Sequence, residues 1–282
     1  MRFAAIIAVL LVLLVGAGLA SAAGDARLAA VQVALHQRGL YGGTIDGLDT
    51  PETRAAVLAL QQRKGLVQDG DIGPKTLAAL GGHATPGDRV LVRRMKGLDV
   101  TALQFALAWH GFPSGWFDGR FGQRTEHALR RFQRWAGLNV DGLAGPTTVA
   151  ALRRSLPLSP IRLAYPVPAV VGDTFGPRGA RFHAGVDLIA DAGTAVRAAA
   201  PGRVKWAAWH SGGWGNLVVI SHGRGVRTLY AHLSRIDVRR GERLNLGAKV
   251  GRVGATGDAT GPHLHFEVRV RGAAVDPLLS LR

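Results

Sequence analysis

The 282-residue sequence has no cysteine and only two methionines. Without thiols there is no disulfide framework and no thiolate metal site, so any metal must be held by imidazole and carboxylate groups. Carboxylates are themselves scarce: 19 Asp and Glu stand against 35 Lys and Arg, a net charge of +16. No His-Glu-x-x-His segment occurs, and no zinc-finger, helix-turn-helix or Gly-rich phosphate motif accompanies the positive charge. The charge is also not gathered into a tail. Up to Ser159 there are 18 basic and 11 acidic residues (18 − 11 = +7), and beyond it 17 and 8 (17 − 8 = +9). Such a spread suits an anionic polymer, and no nucleic-acid partner is expected. With 47% hydrophobic and 19% charged residues the chain is globular, and its length accommodates two or three modules.

What is present begins with Met1-Arg2, an apolar run from Phe3 to Leu19, and Ala20-Ser21-Ala22. One positive charge, a hydrophobic stretch and an Ala-x-Ala end predict a secretory signal at 1–22, cleaved after Ala22. The competing reading is an uncleaved membrane anchor, the one membrane contact the sequence offers. An internal repeat follows. A shift of 72 residues (104 − 32) superposes Gln32 on Gln104, Asp46-Gly47 on Asp118-Gly119 and Thr53 on Thr125. The same shift carries Gln61 onto Gln133, Asp69-Gly70 onto Asp141-Gly142 and Gly73-Pro74 onto Gly145-Pro146, with no gap.

Each copy reads as three helices. Leu28, Val31 and Leu35 share a helical face, Gly39 supplies a left-handed stop, and Thr50-Pro51 supplies an N-cap followed by proline at the first helical position. Pro74 and Pro146 open short third helices in the same way. The copies resemble peptidoglycan-binding modules of the PG_binding_1 type, through Asp118-Gly-Arg-Phe-Gly122-Gln-Arg-Thr125 and the two Gly-Pro-x-Thr segments. The first copy departs from the pattern, with Thr50 where the second Gly belongs. Trp109, Phe112, Trp116, Phe117, Phe121, Phe132 and Trp135 crowd the second copy. Several must form its core, and an exposed one could stack on sugar. Gly81 to Lys96 links the copies, and a Pro-rich stretch from Arg153 to Pro168 reads as a semi-rigid spacer.

From Tyr165 onward the pattern changes to short β segments between Gly-rich turns. Here the histidines acquire a spacing. His263-Leu264-His265 places two imidazoles side by side on one strand face, and His183-Ala-Gly-Val-Asp187 places an imidazole and a carboxylate on one side of an extended segment. His183, Asp187 and one of the later pair make two imidazoles and a carboxylate, a set that leaves a fourth position open as catalytic zinc sites do. His232 ends a further apolar run. His36, His110 and His127 fall on predicted helices and are expected at the surface, while His83 is in a linker and His210 and His222 lack an evenly spaced partner. Glu267 shares parity with His263 and His265, so it either supports them or bridges a neighbouring Arg; Asn216 reads as a turn residue.

The order His183-x-x-x-Asp187, His232, His263-x-His265 resembles the M23, lysostaphin or LytM type of zinc metallopeptidase, as do Phe175-Gly-Pro-Arg178, Gly193-Thr-Ala-Val196 and Thr260-Gly-Pro-His263. The resemblance implies Zn²⁺ held by His183, Asp187 and His265, with His232 and His263 as the catalytic pair beside the water and the scissile carbonyl. It implies a secreted endopeptidase acting on stem peptides or cross-links of peptidoglycan, with anionic cell-wall polymers as a further class of partner. The Phe175 start is more like members that act on directly cross-linked stems. The alternative is a catalytically inert wall-binding regulator of another hydrolase. The expected organisation is a signal peptide at 1–22, binding modules at 25–81 and 97–154, a linker at 155–164 and the peptidase at 165–282. The expected fold is therefore multidomain: two small three-helix modules, then a mainly antiparallel β-sheet metallopeptidase domain.

Overall fold

The computed structural model describes residues 24–83, 85–154 and 158–282, so the expected signal at 1–22 lies outside the described residues. Each repeat forms three helices. These are α1 (Ala26–His36), α2 (Pro51–Arg63) and α3 (Pro74–Leu80), then α4 (Leu98–Trp109), α5 (Gln123–Ala136) and α6 (Pro146–Leu152). Proline opens α2, α3 and α6, where its missing N–H costs no helical hydrogen bond. Thr50 caps α2 by accepting from the Thr53 amide, so the departure from Gly in the first copy is absorbed by the helix start.

The repeated Gln and Asp-Gly residues turn out to be scaffold. Gln104 Nε2 donates to Asp118 Oδ1 (2.8 Å), the Arg120 carbonyl and Thr125 Oγ1, while its Oε1 accepts from the Gly119 amide. Gln133 makes the same clasp with Asp141, Leu143, Thr148 and Gly142. Gln32 and Gln61 repeat it in the first copy. All four glutamines are buried. Because 61 − 32 and 133 − 104 both equal 29, each module is itself two turns of one helix–clasp unit. A buried amide with its donors and acceptor satisfied fixes each Asp-Gly turn against the helix before it.

The two modules are not beads on a string. Ala29 to Leu35 are buried without interruption, because α1 lies against α2 and α3 on one side and α4 on the other. A helix this apolar around its circumference has to be covered all round. The segment between the copies belongs to the second one: Leu91 is fully buried and pairs with Ala144, and Arg89 Nε donates to Asp99 Oδ2 at 2.6 Å. His110, expected at the surface, is instead buried, with Nδ1 2.9 Å from the Ala106 carbonyl and Nε2 3.0 Å from that of Arg154. The second contact crosses from α4 to the end of α6, a partner that sequence position alone does not disclose. His36, His83 and His127 are exposed.

The C-terminal part is an antiparallel sheet in the order Val170–Val171, Val186–Ile189, Leu264–Val270, Val226–Leu233, Gly215–Gly223, Gly202–His210, Arg243–Leu244, with Ala273–Val275 also paired to Leu264–Val270. Val186, Leu188, Val218, Ile220, Tyr230, Leu264, Phe266 and Val268 form its core. The chain joins this core early, since Leu163 is buried in it and pairs with Leu281. A hairpin of Gly176–Arg178 and Arg181–His183 lies beside the sheet.

That hairpin meets the second repeat. Trp109 from α4 packs edge-on against Phe175 (6.1 Å between ring centroids) and Phe182 (5.4 Å), the Phe117 amide donates to the Ala180 carbonyl at 2.8 Å, and the Ala274 amide donates to Gly111 at 3.1 Å. Gly111 has φ 78°, and a Cβ there would lie 2.3 Å from the backbone of Ala274. Only glycine permits this approach, which closes the helical body onto the sheet.

Candidate metal centre

Strand pairing puts two of the candidate ligating groups together. His265 is the register partner of Asp187 across neighbouring strands, so both side chains stand on one face. His183 reaches the same point from the hairpin strand, through a bend at Ala184-Gly185. Simple strand parity therefore does not account for the His183–Asp187 pairing; the bend does. It is possible because residue 185 is glycine, where a Cβ would sit 2.4 Å from the Phe266 carbonyl oxygen and 3.0 Å from His265 Cε1.

The resulting triad is compact and buried. His183 Nε2 lies 2.9 Å from His265 Nδ1 and 3.1 Å from Asp187 Oδ1, and His265 Nδ1 lies 2.8 Å from the same oxygen. Around a tetrahedral Zn²⁺ with ~2.0–2.1 Å bonds, ligand atoms are roughly 3.3 Å apart, so a small opening of this triangle admits the ion. The remaining atoms are already oriented. His183 Nδ1 donates to the Thr174 carbonyl (2.8 Å), leaving Nε2 as a lone pair for a cation, while His265 Nε2 faces Glu267 Oε1 at 3.5 Å. Arg178 Nη2 donates to Asp187 Oδ2 at 2.8 Å. Two imidazoles and one carboxylate, with no thiolate and a free side toward the cleft, fit zinc.

The electrostatics fit as well. Burial by itself would raise the Asp187 carboxyl, but its contacts with His183 and His265 hold it well below the usual carboxylate range. Burial would lower His265; its bonds to Asp187 and Glu267 outweigh that and push it up to about 9. This proton is what a cation must displace. Glu267, itself fully buried, is held below its ordinary value against burial by the charge of Arg269 and the contact with His265, so it both supports the histidine and bridges an Arg.

His263 and His232 complete the group. His263 donates from Nδ1 to the Gly261 carbonyl (2.9 Å) and holds Nε2 3.7 Å from Asp187 Oδ1. His232 pairs by a less regular route. The register partner of His265 on the next strand is Ala231, so a regular pleat would turn His232 away. A register shift between Asn216 and Val218 and a left-handed φ of 61° at His232 re-aim it, placing its ring 4.9 Å from His263 and 5.9 Å from His265. His232 Nδ1 donates to the Thr256 carbonyl at 2.7 Å, and burial pulls its pKa below the ordinary histidine value.

All five predicted residues thus line one cleft of about 930 Å³. His210 hydrogen-bonds the Gly212 amide near the cleft edge, and His222 lies between Pro201 and Thr228; neither joins the triad. Asn216, expected in a turn, instead lies in the strand Gly215–Gly223, and its Nδ2 donates to the carbonyl of its register partner Leu233 at 2.9 Å. Sequence reasoning passed over Trp214, whose ring stands edge-on to His265 at 5.4 Å, and the polar contacts of Thr174 and Thr256, which act through carbonyls and leave no signal in residue type.

Comparison with known proteins finds similarity over both parts of the chain. Residues 181–277 match peptidase family M23, and residues 24–80 and 96–152 each match the peptidoglycan binding domain family. Among curated proteins, the DD-carboxypeptidase/endopeptidase Mpg of Neisseria meningitidis serogroup B is 47% identical over 98 residues, covering 35% of this chain and 22% of that protein. The peptidoglycan DD-endopeptidase ShyA of Vibrio cholerae is 42% identical over 96 residues, covering 34% of this chain and 22% of its own. The chain therefore spans only about a fifth of the length of these relatives. A crystal structure of a zinc-containing peptidase from Vibrio cholerae aligns with a TM-score of 0.39 at 35% identity, over 40% of this chain and 38% of that one.

Proposed function

We propose that this chain, in which a domain of peptidase family M23 follows two peptidoglycan binding domains, is a zinc endopeptidase that hydrolyses peptide bonds in the stem peptides or cross-links of peptidoglycan. The observation that carries the reading is the convergence of His183 Nε2, Asp187 Oδ1 and His265 Nδ1 within hydrogen-bond distance, beside a second imidazole pair on the same cleft. His183, Asp187 and His265 hold the metal. When bound there, zinc supplies Lewis acidity to the attacking water and to the scissile carbonyl.

The remaining chemistry belongs to His232 and His263. Each spends Nδ1–H on a backbone carbonyl, which fixes the tautomer and leaves Nε2 to exchange a proton with the reacting groups. Burial keeps His232 neutral near pH 7, the form that accepts a proton from water. Once protonated, an imidazole of this pair can stabilise the developing oxyanion and return the proton to the leaving amine as the C–N bond breaks. His-based proton handling stands in for the glutamate of His-Glu-x-x-His enzymes, which this chain lacks.

The work is placed outside the cytoplasmic membrane, where the polymer is and where the expected signal at 1–22 would deliver the chain. Soluble cross-linked muropeptides of defined linkage, incubated with zinc-loaded protein and read by mass, test the proposal. Conversion of a dimer to monomers with uptake of one water supports it. Intact dimers of every linkage, together with retention on sacculi, would replace it with the inert wall-binding regulator.

A further inference from the structure

The cleft that holds the five site residues has one wall from outside the sheet domain. Pro113, Gly115 and Trp116, from the loop after α4, and Arg124, at the start of α5, face the metal-site residues across it. Docking of the second repeat fixes that wall through the Trp109–Phe175–Phe182 contacts, the Phe117–Ala180 hydrogen bond and the close approach at Gly111. Trp116 is the exposed aromatic of the repeat, at 50% relative exposure. The Arg181 guanidinium, two residues before His183, sits 3.8 Å from the centroid of its ring, so a side chain of each domain meets at the rim.

Beyond Arg124 the cleft shares its lining with a second cavity of about 460 Å³, which also includes Ser114, His127 and Arg131. No carboxylate is among the residues that line this second cavity. Arg178 and Arg269 are spent on Asp187 and Glu267, but among the described residues no carboxylate lies within 4.0 Å of Arg124, Arg131 or Arg181. Arg131 is half-buried, with its guanidinium 5.2 Å from the Phe112 centroid. Its Nη2 makes only a long 3.5 Å contact with the Gly272 carbonyl, and a partly desolvated guanidinium with no carboxylate in ion-pair contact can receive one through two parallel hydrogen bonds.

We propose that the second repeat is a wall of the active-site cleft, and that Arg124 and Arg131, with Trp116 at the rim, form a subsite for a carboxylate-bearing peptide segment of the substrate. The inference rests on the peptidase reading, which supplies the polymer whose stems carry free carboxylates. A peptide is favoured over a phosphate polymer because the subsite is continuous with the centre that cuts a peptide bond. It also gives the duplication an asymmetry: the second copy builds the cleft, whereas the first packs behind it through α1 and α4.

The test uses the full zinc-loaded chain and two probes: a soluble cross-linked muropeptide dimer with free stem carboxylates, and the same dimer with them converted to carboxamides. Arg124→Ala and Arg131→Ala are each expected to raise KM for the carboxylate dimer about 10-fold, the loss of one charge-assisted contact, with kcat within about twofold. The carboxamide dimer should respond to neither, and Arg124→Lys should recover part of the loss. Zinc content and Tm are measured alongside; Arg124 is exposed, so that variant folds independently of the outcome. Fluorescence polarisation with labelled dimers and chelator-treated protein reads the subsite without turnover, which separates this proposal from the peptidase reading. Equal affinity of wild type and Arg124→Ala for the carboxylate dimer would overturn it. So would equal losses for both dimers, or displacement of the probe by poly(glycerol phosphate) at lower concentration than by the carboxylate peptide.

Discussion

Glu267→Gln asks how much of the metal affinity is set behind the ligands. Glu267 is 1% exposed, with Oε1 3.5 Å from His265 Nε2 and Oε2 2.7 Å from Arg269 Nε. Glutamine keeps the volume and can still accept one hydrogen bond, but it removes the negative charge that makes His265 a stronger donor to a cation. Loss of such a carboxylate behind a metal-bound histidine costs roughly 10–100-fold in affinity. At 1.36 kcal/mol per decade that is about 1.4–2.7 kcal/mol. The fold should lose less, about 1 kcal/mol, because Arg269 is 28% exposed and water replaces much of what the carboxylate gave it. Competition for zinc against a chromophoric chelator measures the change, with Tm recorded on the same samples. A dissociation constant within twofold of wild type would show that Glu267 serves only Arg269 and that the reasoning from the His265 contact is wrong.

Three further perturbations probe other levels of the structure. Gln104→Ala removes a clasp of four hydrogen bonds around a buried amide and should destabilise by about 3 kcal/mol, roughly 6–12 °C in Tm for a chain of this size; a loss under ~2 °C would contradict the scaffold role. Gly185→Ala places a Cβ 2.4 Å from Phe266 O and 3.0 Å from the His265 ring, so zinc retention on dialysis should fall with a stability cost of about 1–3 kcal/mol, and unchanged retention would mean that the bend tolerates a side chain. His222 has its pKa lowered by burial, so the unfolded state binds the extra proton first and stability falls as pH drops from 6.5 through the lower folded value. The Tm advantage of wild type over His222→Gln should therefore shrink between pH 7.5 and pH 5, whereas a constant difference would place the titration elsewhere.

The parts of this molecule that were legible in the sequence are those written in short-range spacing. Pro51, Pro74 and Pro146 mark helix starts, the Gln and Asp-Gly repeat marks two modules, and the alternation of His263 and His265 marks a shared face. What escaped depends on contacts between distant segments or on backbone irregularity. His110 looks like a surface helix residue until the end of α6 arrives beside it. His232 has the wrong parity for the site, and only a strand irregularity with φ 61° brings it in. The joining of the second repeat to the sheet rests on Gly111 against Ala274 and on Trp109 between two phenylalanines, none of which carries a local signature. The Pro-rich spacer likewise gave no sign that Leu163 is core.

The central claim is a division of labour among five residues of one cleft, and one paired measurement tests it. Zinc content and release of peptides from purified sacculi are determined on the same preparations of wild type, His265→Ala, His232→Ala and His263→Ala. The account predicts that His265→Ala loses both metal and turnover. His232→Ala and His263→Ala should keep one zinc per chain while turnover falls ~100-fold or more, the scale of a lost acid–base or oxyanion group. Wild-type rates in His232→Ala and His263→Ala, or full zinc occupancy with normal turnover in His265→Ala, would contradict it.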